Sequence, residues 1–303
     1  MDEQFKYSTG MQVTFLFLYV GLGFATAGAC TILFSKLYLG ATQDTMTSAI
    51  IHSKDPFVLR VVQVINVLFV MVLPSIFFSR TIHNKPFQYL KFSSVISGKQ
   101  FFLLVSIVLA ALMVSGSLGM LNEKIPLPAD WVSYFKEMEE NYNKQVSVIT
   151  NLNSISDYLA ALIVLGLLPA LAEEMLFRGC LQQLLSGIFR QVWIGIILTS
   201  ILFSIMHLSF YGFMPRLFLG LLLGYVFFKS GNIWHSIAIH FLNNAFALTQ
   251  MYAVSLHGQP ETEVLQENLP LYYGFVGSVL LFFLIKLFNR ETELVISTRY
   301  LRN

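Results

Sequence analysis

Charge is scarce in this chain. Only 12% of its 303 residues are Asp, Glu, Lys or Arg, while 55% are hydrophobic and the mean hydropathy is +0.66. That balance excludes an ordinary soluble domain and points to an integral membrane protein. The formal net charge is only +2, so there is no basic surface of the kind that nucleic acid requires. Cysteine is almost missing as well: Cys30 and Cys180 both fall in apolar or membrane-adjacent sequence and offer neither a disulfide framework nor a thiolate metal site. They read as small buried hydrophobes. No His-Glu-x-x-His helix is present, no internal repeat divides the chain, and no low-complexity linker separates domains. The first apolar stretch is too long for a secretory signal and lacks a small-residue cleavage site before a soluble domain, so it reads as a retained anchor.

What the chain does have is long apolar runs. A helix needs about 20 apolar residues to cross a hydrocarbon core of about 30 Å. Such stretches occur near residues 12–35, 57–78, 101–121, 156–172, 192–209, 214–229, 233–253 and 270–288. The expectation is an all-α, polytopic bundle of about eight transmembrane helices around a polar intramembrane site. The fourth stretch carries its apolar pattern through Met175-Leu-Phe177 and Cys180-Leu-Gln-Gln-Leu-Leu185 toward Phe189, which predicts one long helix with a polar centre. The chain divides into residues 1–154, with an amphipathic insert at 122–154; a core at 155–253; and a loop, last span and basic tail at 254–303.

Orientation follows from the placement of Lys and Arg. Arg80, Lys85, Lys91 and Lys99 lie in a loop without any acid, and Arg190, Lys229, Arg290, Arg299 and Arg302 follow later spans on the same side. Glu261, Glu263 and Glu267 lie on the other, so both termini are expected in the cytoplasm of a cell-membrane protein. Arg60 and Arg216, near span ends, read as basic side chains snorkelling to headgroups. In the insert, Trp131, Tyr134, Phe135, Met138 and Tyr142 recur at helical spacing with Glu137, Glu139 and Glu140 between them. An amphipathic helix that caps the bundle is the reading favoured over one lying on the membrane. Gly220-x-x-x-Gly224 permits close helix approach.

Ionisable groups at membrane depth are costly and mark function. They collect on three helices: Glu173, Glu174 and Arg178; His207; and His240 with Asn244. Residues at i and i+4 share a helix face, whereas adjacent ones diverge by about 100°. Glu174 and Arg178 therefore form an ion pair in a supporting, structural role, and Glu173 is left to face a cavity as a general base. Pro169 is expected to kink that helix and open space. His240 and Asn244 share a face and both can donate to a developing oxyanion. Glu173 and His207 would activate a water. The same chemistry admits a second arrangement, in which Glu173, His207 and His240 bind one divalent metal such as Zn2+ with a water position open.

Taken singly, each element has a plain structural reading. An ion pair can join helices in any transporter, a lone histidine usually packs, and an imidazole–carboxamide pair can be interhelical bonding. Jointly they find partners most simply in one another. His235 reads as interfacial, His52, His83 and His257 as loop residues, and Asn243 as a substitute for Asn244 if the helix is rotated.

Glu173-Glu-x-x-x-Arg178-Gly179 preceded by Pro169, then Phe203-x-x-x-His207, then His240-x-x-x-Asn244 resembles the three motifs of the CAAX protease and bacteriocin-processing family, also called the Abi family. The resemblance covers roughly residues 155–250. It implies an intramembrane endopeptidase related to the enzyme that trims prenylated CAAX proteins, with Glu173 and His207 activating water and His240 and Asn244 binding the oxyanion. The family is described both as metal-dependent and as glutamate-based. The partners implied are a peptide or protein substrate, lipid-modified in the prenylated case, and membrane lipids. The alternatives are a non-catalytic chaperone or bacteriocin-immunity factor of the same fold and, more remotely, a proton-coupled transporter, for which the hydropathy lacks paired inverted halves.

Overall fold

The computed structural model describes residues 6–42, 45, 49–50, 53–92, 96–257 and 269–300. His52, Glu261, Glu263, Glu267 and Arg302 lie outside them, and Arg299 is described for its backbone alone. There is no strand among the described residues. Among the described residues the long helices are, in chain order, α1 (Thr9–Leu39), α2 (Pro56–Ile82), α3 (Gly98–Glu123), α4 (Ala129–Thr150), α5 (Ile155–Phe189), α6 (Val192–Met206), α7 (Phe213–Ser230), α8 (Ile233–Leu256) and α9 (Leu271–Tyr300), with a single short turn of helix at Pro86–Tyr89. Six of these, α1, α2, α3, α5, α7 and α9, are long and apolar enough to cross a membrane. α6 is apolar but shorter, and α8 carries the polar residues of the third motif. Each expected span coincides with a helix, and α4 is the polar insert.

The surface identifies the solvent. Phe17, Leu37, Phe102 and Phe275 are 71%, 75%, 72% and 72% exposed. Apolar faces of that extent are unstable in water but are matched to acyl chains, where helices satisfy their own backbone groups. The protein is a multi-pass membrane protein. Cys180 is buried and Cys30 partly so, and both are free thiols.

Local chemistry sets the helix ends. Asp55 accepts from Phe57 N ahead of Pro56, and Ser97 and Gln100 form a reciprocal capping box at the start of α3. α7 ends at Gly231, whose φ of 58° is the left-handed conformation glycine tolerates, and Asn232 caps α8 by accepting from Trp234 N. Arg190 and Gln191 alone separate α5 from α6. Connections this short make α5 with α6, and α7 with α8, antiparallel neighbours. The three motif-bearing helices are thereby brought to one region.

α5 is not uniformly α-helical. It widens to π-helix over Leu162–Leu167 and again over Met175–Gln182. Leu168 N bonds to Ile163 O, one residue further back than in an α-helix, just before Pro169, which has no N–H to give. The proline is thus absorbed by a wider turn and the helix continues. π-turns of this kind re-aim side chains and are frequent at functional sites.

α7 lies against α5 and α6 through its glycines. A Cβ on Gly220 would fall 2.9 Å from Ser200 Cβ, and one on Gly224 would fall 2.8 Å from Gln182 Oε1. The close approach exposes two backbone carbonyls to α5: Arg178 Nη2 donates to Gly220 O at 3.2 Å and Gln182 Nε2 to Gly224 O at 3.1 Å. The GxxxG spacing therefore supplies acceptors as well as room. Gly220→Val should lower stability by about 1–3 kcal/mol, the usual cost of overpacking, read as a lower midpoint for thermal unfolding in detergent. An unchanged midpoint would show that α6 and α7 can separate at little cost.

Candidate active site

The node of the site is a buried set of charges. Glu174 and Arg178 are both fully buried, and Arg178 Nη1 donates to Glu174 Oε1 at 2.8 Å. The same oxygen lies 2.9 Å from His240 Nδ1. A carboxylate oxygen accepts, so Nδ1 carries the proton and donates to Glu174. The expected self-contained pair is therefore a triad that ties α5 to α8. His240 Nε2 then faces Glu173 Oε2 at 3.7 Å. Adjacent glutamates that diverge along α5 end on opposite nitrogens of one imidazole, a convergence that helical periodicity does not foretell.

Glu173 is 13% exposed and lines the cavity, and its Oε2 is buried without a hydrogen bond among the described residues. His207 follows the end of α6, and its Nδ1 donates to Phe203 O at 2.8 Å. That bond fixes the neutral tautomer with Nε2 as the free lone pair. Asn244 also lines the cavity, with Nδ2 lying 3.4 Å from Gly166 O in the first π-turn. Asn243 lines it too and reaches Asn244 Oδ1 at 3.5 Å, so both asparagines face inward. Phe203, to which the sequence reading assigns no role, sits at the centre. Arg178 Cζ is 4.7 Å from its ring centroid, and the rings of His207 and His240 meet it edge-on at 4.8 and 5.7 Å. It spaces the two imidazoles and gives the buried guanidinium an aromatic face.

The cavity measures about 630 Å³ and holds Glu173, His207, His240 and Asn244 together with Gln63 and Asn66 of α2 and Tyr142 and Gln145 of α4. α4 closes it, as capping predicts. Phe135 stacks on Phe210 at 4.6 Å, and Ser209 Oγ donates to Glu139 at 2.8 Å. Trp131 and Tyr134 are exposed, so only part of the aromatic stripe packs inward.

Several assignments change. Arg216 does not snorkel: it lines the cavity, and its Nη1 is buried. Arg60 also turns inward, donating to Ile149 O at 2.9 Å and lying 3.8 Å from Asp157. His235 is 2% exposed and packs against Phe288, where an interfacial position was expected. The packing of α9 over α3 and across the start of α8 encloses it, which hydropathy along one helix cannot reveal. Among the described residues no group of three or more His, Cys, Asp or Glu side chains is placed to hold a metal ion. Of the three candidate ligands, His240 donates Nδ1–H to Glu174, which leaves its Nε2, 3.7 Å from Glu173 Oε2, as the nitrogen that could serve such an ion.

Comparison with known families agrees with the motifs. Residues 155–246 match the family model described as type II CAAX prenyl endopeptidase Rce1-like. No curated protein and no solved structure matches the chain. The matched segment runs from the start of α5 into α8 and so includes Glu173, Glu174, Arg178, His207, His240 and Asn244.

Removing one member of a buried ion pair strands the other. Arg178→Met should destabilise the protein by about 3–5 kcal/mol, whereas Glu174→Gln with Arg178→Met should cost less than the single change. Thermal unfolding in detergent measures both. A double variant no more stable than Arg178→Met would mean that the guanidinium acts through Gly220 and Phe203 and not through the carboxylate.

Proposed function

We propose that the protein is an intramembrane endopeptidase that hydrolyses a peptide bond of a membrane-associated protein or peptide by glutamate- and histidine-assisted attack of water. The observation that carries this reading is the convergence of Glu173 from α5, His207 from the end of α6, and His240 and Asn244 from α8 on one cavity. The Rce1-like match over residues 155–246 supports a peptidase at family level.

A water held between Glu173 and the free Nε2 of His207 attacks the scissile carbonyl carbon, and its proton passes to the Glu173 carboxylate. The carbonyl oxygen becomes an oxyanion, stabilised by Asn244 Nδ2–H and by His240 Nε2–H. Because Nδ1–H of His240 is held by Glu174, Nε2 can donate only from the doubly protonated ring. The arrangement suits that form: Arg178 and His240 as cations balance Glu173 and Glu174 as anions, which leaves the cluster neutral in an apolar bundle. Collapse breaks the C–N bond, and the proton on Glu173 goes to the departing amine.

The substrate class is a CAAX-type protein tail or a related membrane peptide. The Lys and Arg bias of the connections supports cytoplasmic termini in the cell membrane, with 155–253 as the catalytic core.

Glu173→Gln and His207→Ala should each reduce cleavage by about 10²-fold or more while the protein stays folded in the membrane. The measurement is a comparison of newly formed peptide ends in membranes carrying wild type or Glu173→Gln at equal abundance. Ends found only with wild type identify both activity and substrate. Identical profiles would remove the peptidase and favour a non-catalytic partner of the same fold.

A further inference from the structure

Arg216 is a charge the mechanism does not use. It is on the first turn of α7 and lines the same cavity as Glu173 and His207. Its Nη1 is buried without a hydrogen bond, no carboxylate pairs with it among the described residues, and its Cζ lies 5.8 Å from the ring of Tyr142. Arg216 is only partly buried, but a cation drawn into a cavity with no counter-ion among the described residues favours an anion from outside the chain.

The guanidinium lies directly over Gly212. Gly212 has an ordinary backbone conformation, with φ of −89°, so glycine is not needed there for its torsions. A Cβ on Gly212 would lie 2.0 Å from Arg216 Nη1 and 2.6 Å from Cζ, so the absent side chain is the space the guanidinium occupies. The surrounding loop is locked. Asn122, fully buried on α3, donates to Phe210 O at 2.8 Å and accepts from Met214 N at 3.1 Å, and Ser209 accepts from Gly212 N at 3.1 Å. Arg216 is thus held at a defined point on the wall that also carries His207.

We infer that Arg216 is the anchor for a carboxylate of the peptide being cut, so that this residue sets which bond lies over Glu173. The inference rests on the peptidase reading given above. One guanidinium neutralises one carboxylate and matches its planar geometry with two parallel N–H donors. Two sources share this chemistry: the carboxylate at the end of a peptide chain and that of an acidic side chain.

Binding to the Glu173→Gln protein in lipid nanodiscs separates recognition from turnover. The probes are a farnesylated CAAX-type peptide with a free C-terminal carboxylate, its C-terminal amide, and the amide with Asp as its last residue. The free acid should bind roughly 10- to 100-fold more tightly than the plain amide, the range for a hydrogen bond to a charged group. Adding Arg216→Met should abolish the difference, and Arg216→Lys should keep part of it. If the Asp amide binds as well as the acid, the anchor takes a side-chain carboxylate; if it binds like the plain amide, the anchor takes the chain end. Equal binding of acid and amide, no binding of either, or a preference that survives Arg216→Met overturns the inference. Wild type is assayed separately for cleavage. Failure to cut with the acid preference intact would remove the peptidase reading and leave the carboxylate site.

Discussion

One buried ion pair organises the site. Glu174 and Arg178 are withdrawn completely from solvent in a bundle whose other buried side chains are mostly apolar, and neither could be there alone. Their remaining hydrogen-bonding capacity goes outward to other helices. Glu174 reaches His240 on α8, while Arg178 reaches the Gly220 carbonyl on α7 and the Phe203 ring on α6. Three neighbouring helices are thus registered against α5 by groups that would be unstable if left unpaired. Such bonds contribute only about 0.6–1.7 kcal/mol each between membrane helices. Their larger effect is geometric, because they set the rotation of α8 and with it the direction of His240 and Asn244.

The second constraint is enclosure. A polar centre at membrane depth needs a boundary that excludes lipid without excluding substrate, and α4 supplies it. Its contacts with the loop after α6, through Phe135–Phe210 and Ser209–Glu139, hold together the segment that carries His207 and the segment that positions Arg216. The cavity therefore combines a reactive wall from α5, α6 and α8 with a wall from α2 and α4 that carries polar residues such as Gln63, Asn66 and Gln145. Arg178 pairs with Glu174 within the first wall, whereas Arg216 has no carboxylate partner among the described residues.

Much of this was legible along the chain. The apolar runs marked the helices because a helix in lipid must satisfy its backbone internally and present apolar side chains outward, which leaves a one-dimensional trace. The pairing of Glu174 with Arg178 and the shared face of His240 and Asn244 followed from spacing within single helices. Other features had no such trace. Arg216, Arg60 and His235 were all assigned to the interface from their place near span ends, and all three turn inward. Whether a basic side chain at a helix end reaches headgroups or a cavity depends on what lies beside it, and for Arg216 that was decided by Gly212 and Tyr142.

By itself, then, the sequence determined the all-helical membrane class, the order of the long helices, and the set of polar residues that must find partners, because hydropathy and helical period are local properties. Only the tertiary structure decided how those residues are shared: that Glu173 and Glu174 flank one imidazole, that Phe203 separates the two histidines, that the π-turns of α5 absorb Pro169, and that a guanidinium with no carboxylate partner among the described residues faces the cavity. Apart from the π-turns these are contacts between helices, and in an apolar medium the interhelical rotation is set by a few buried polar bonds whose partners lie far apart in the chain.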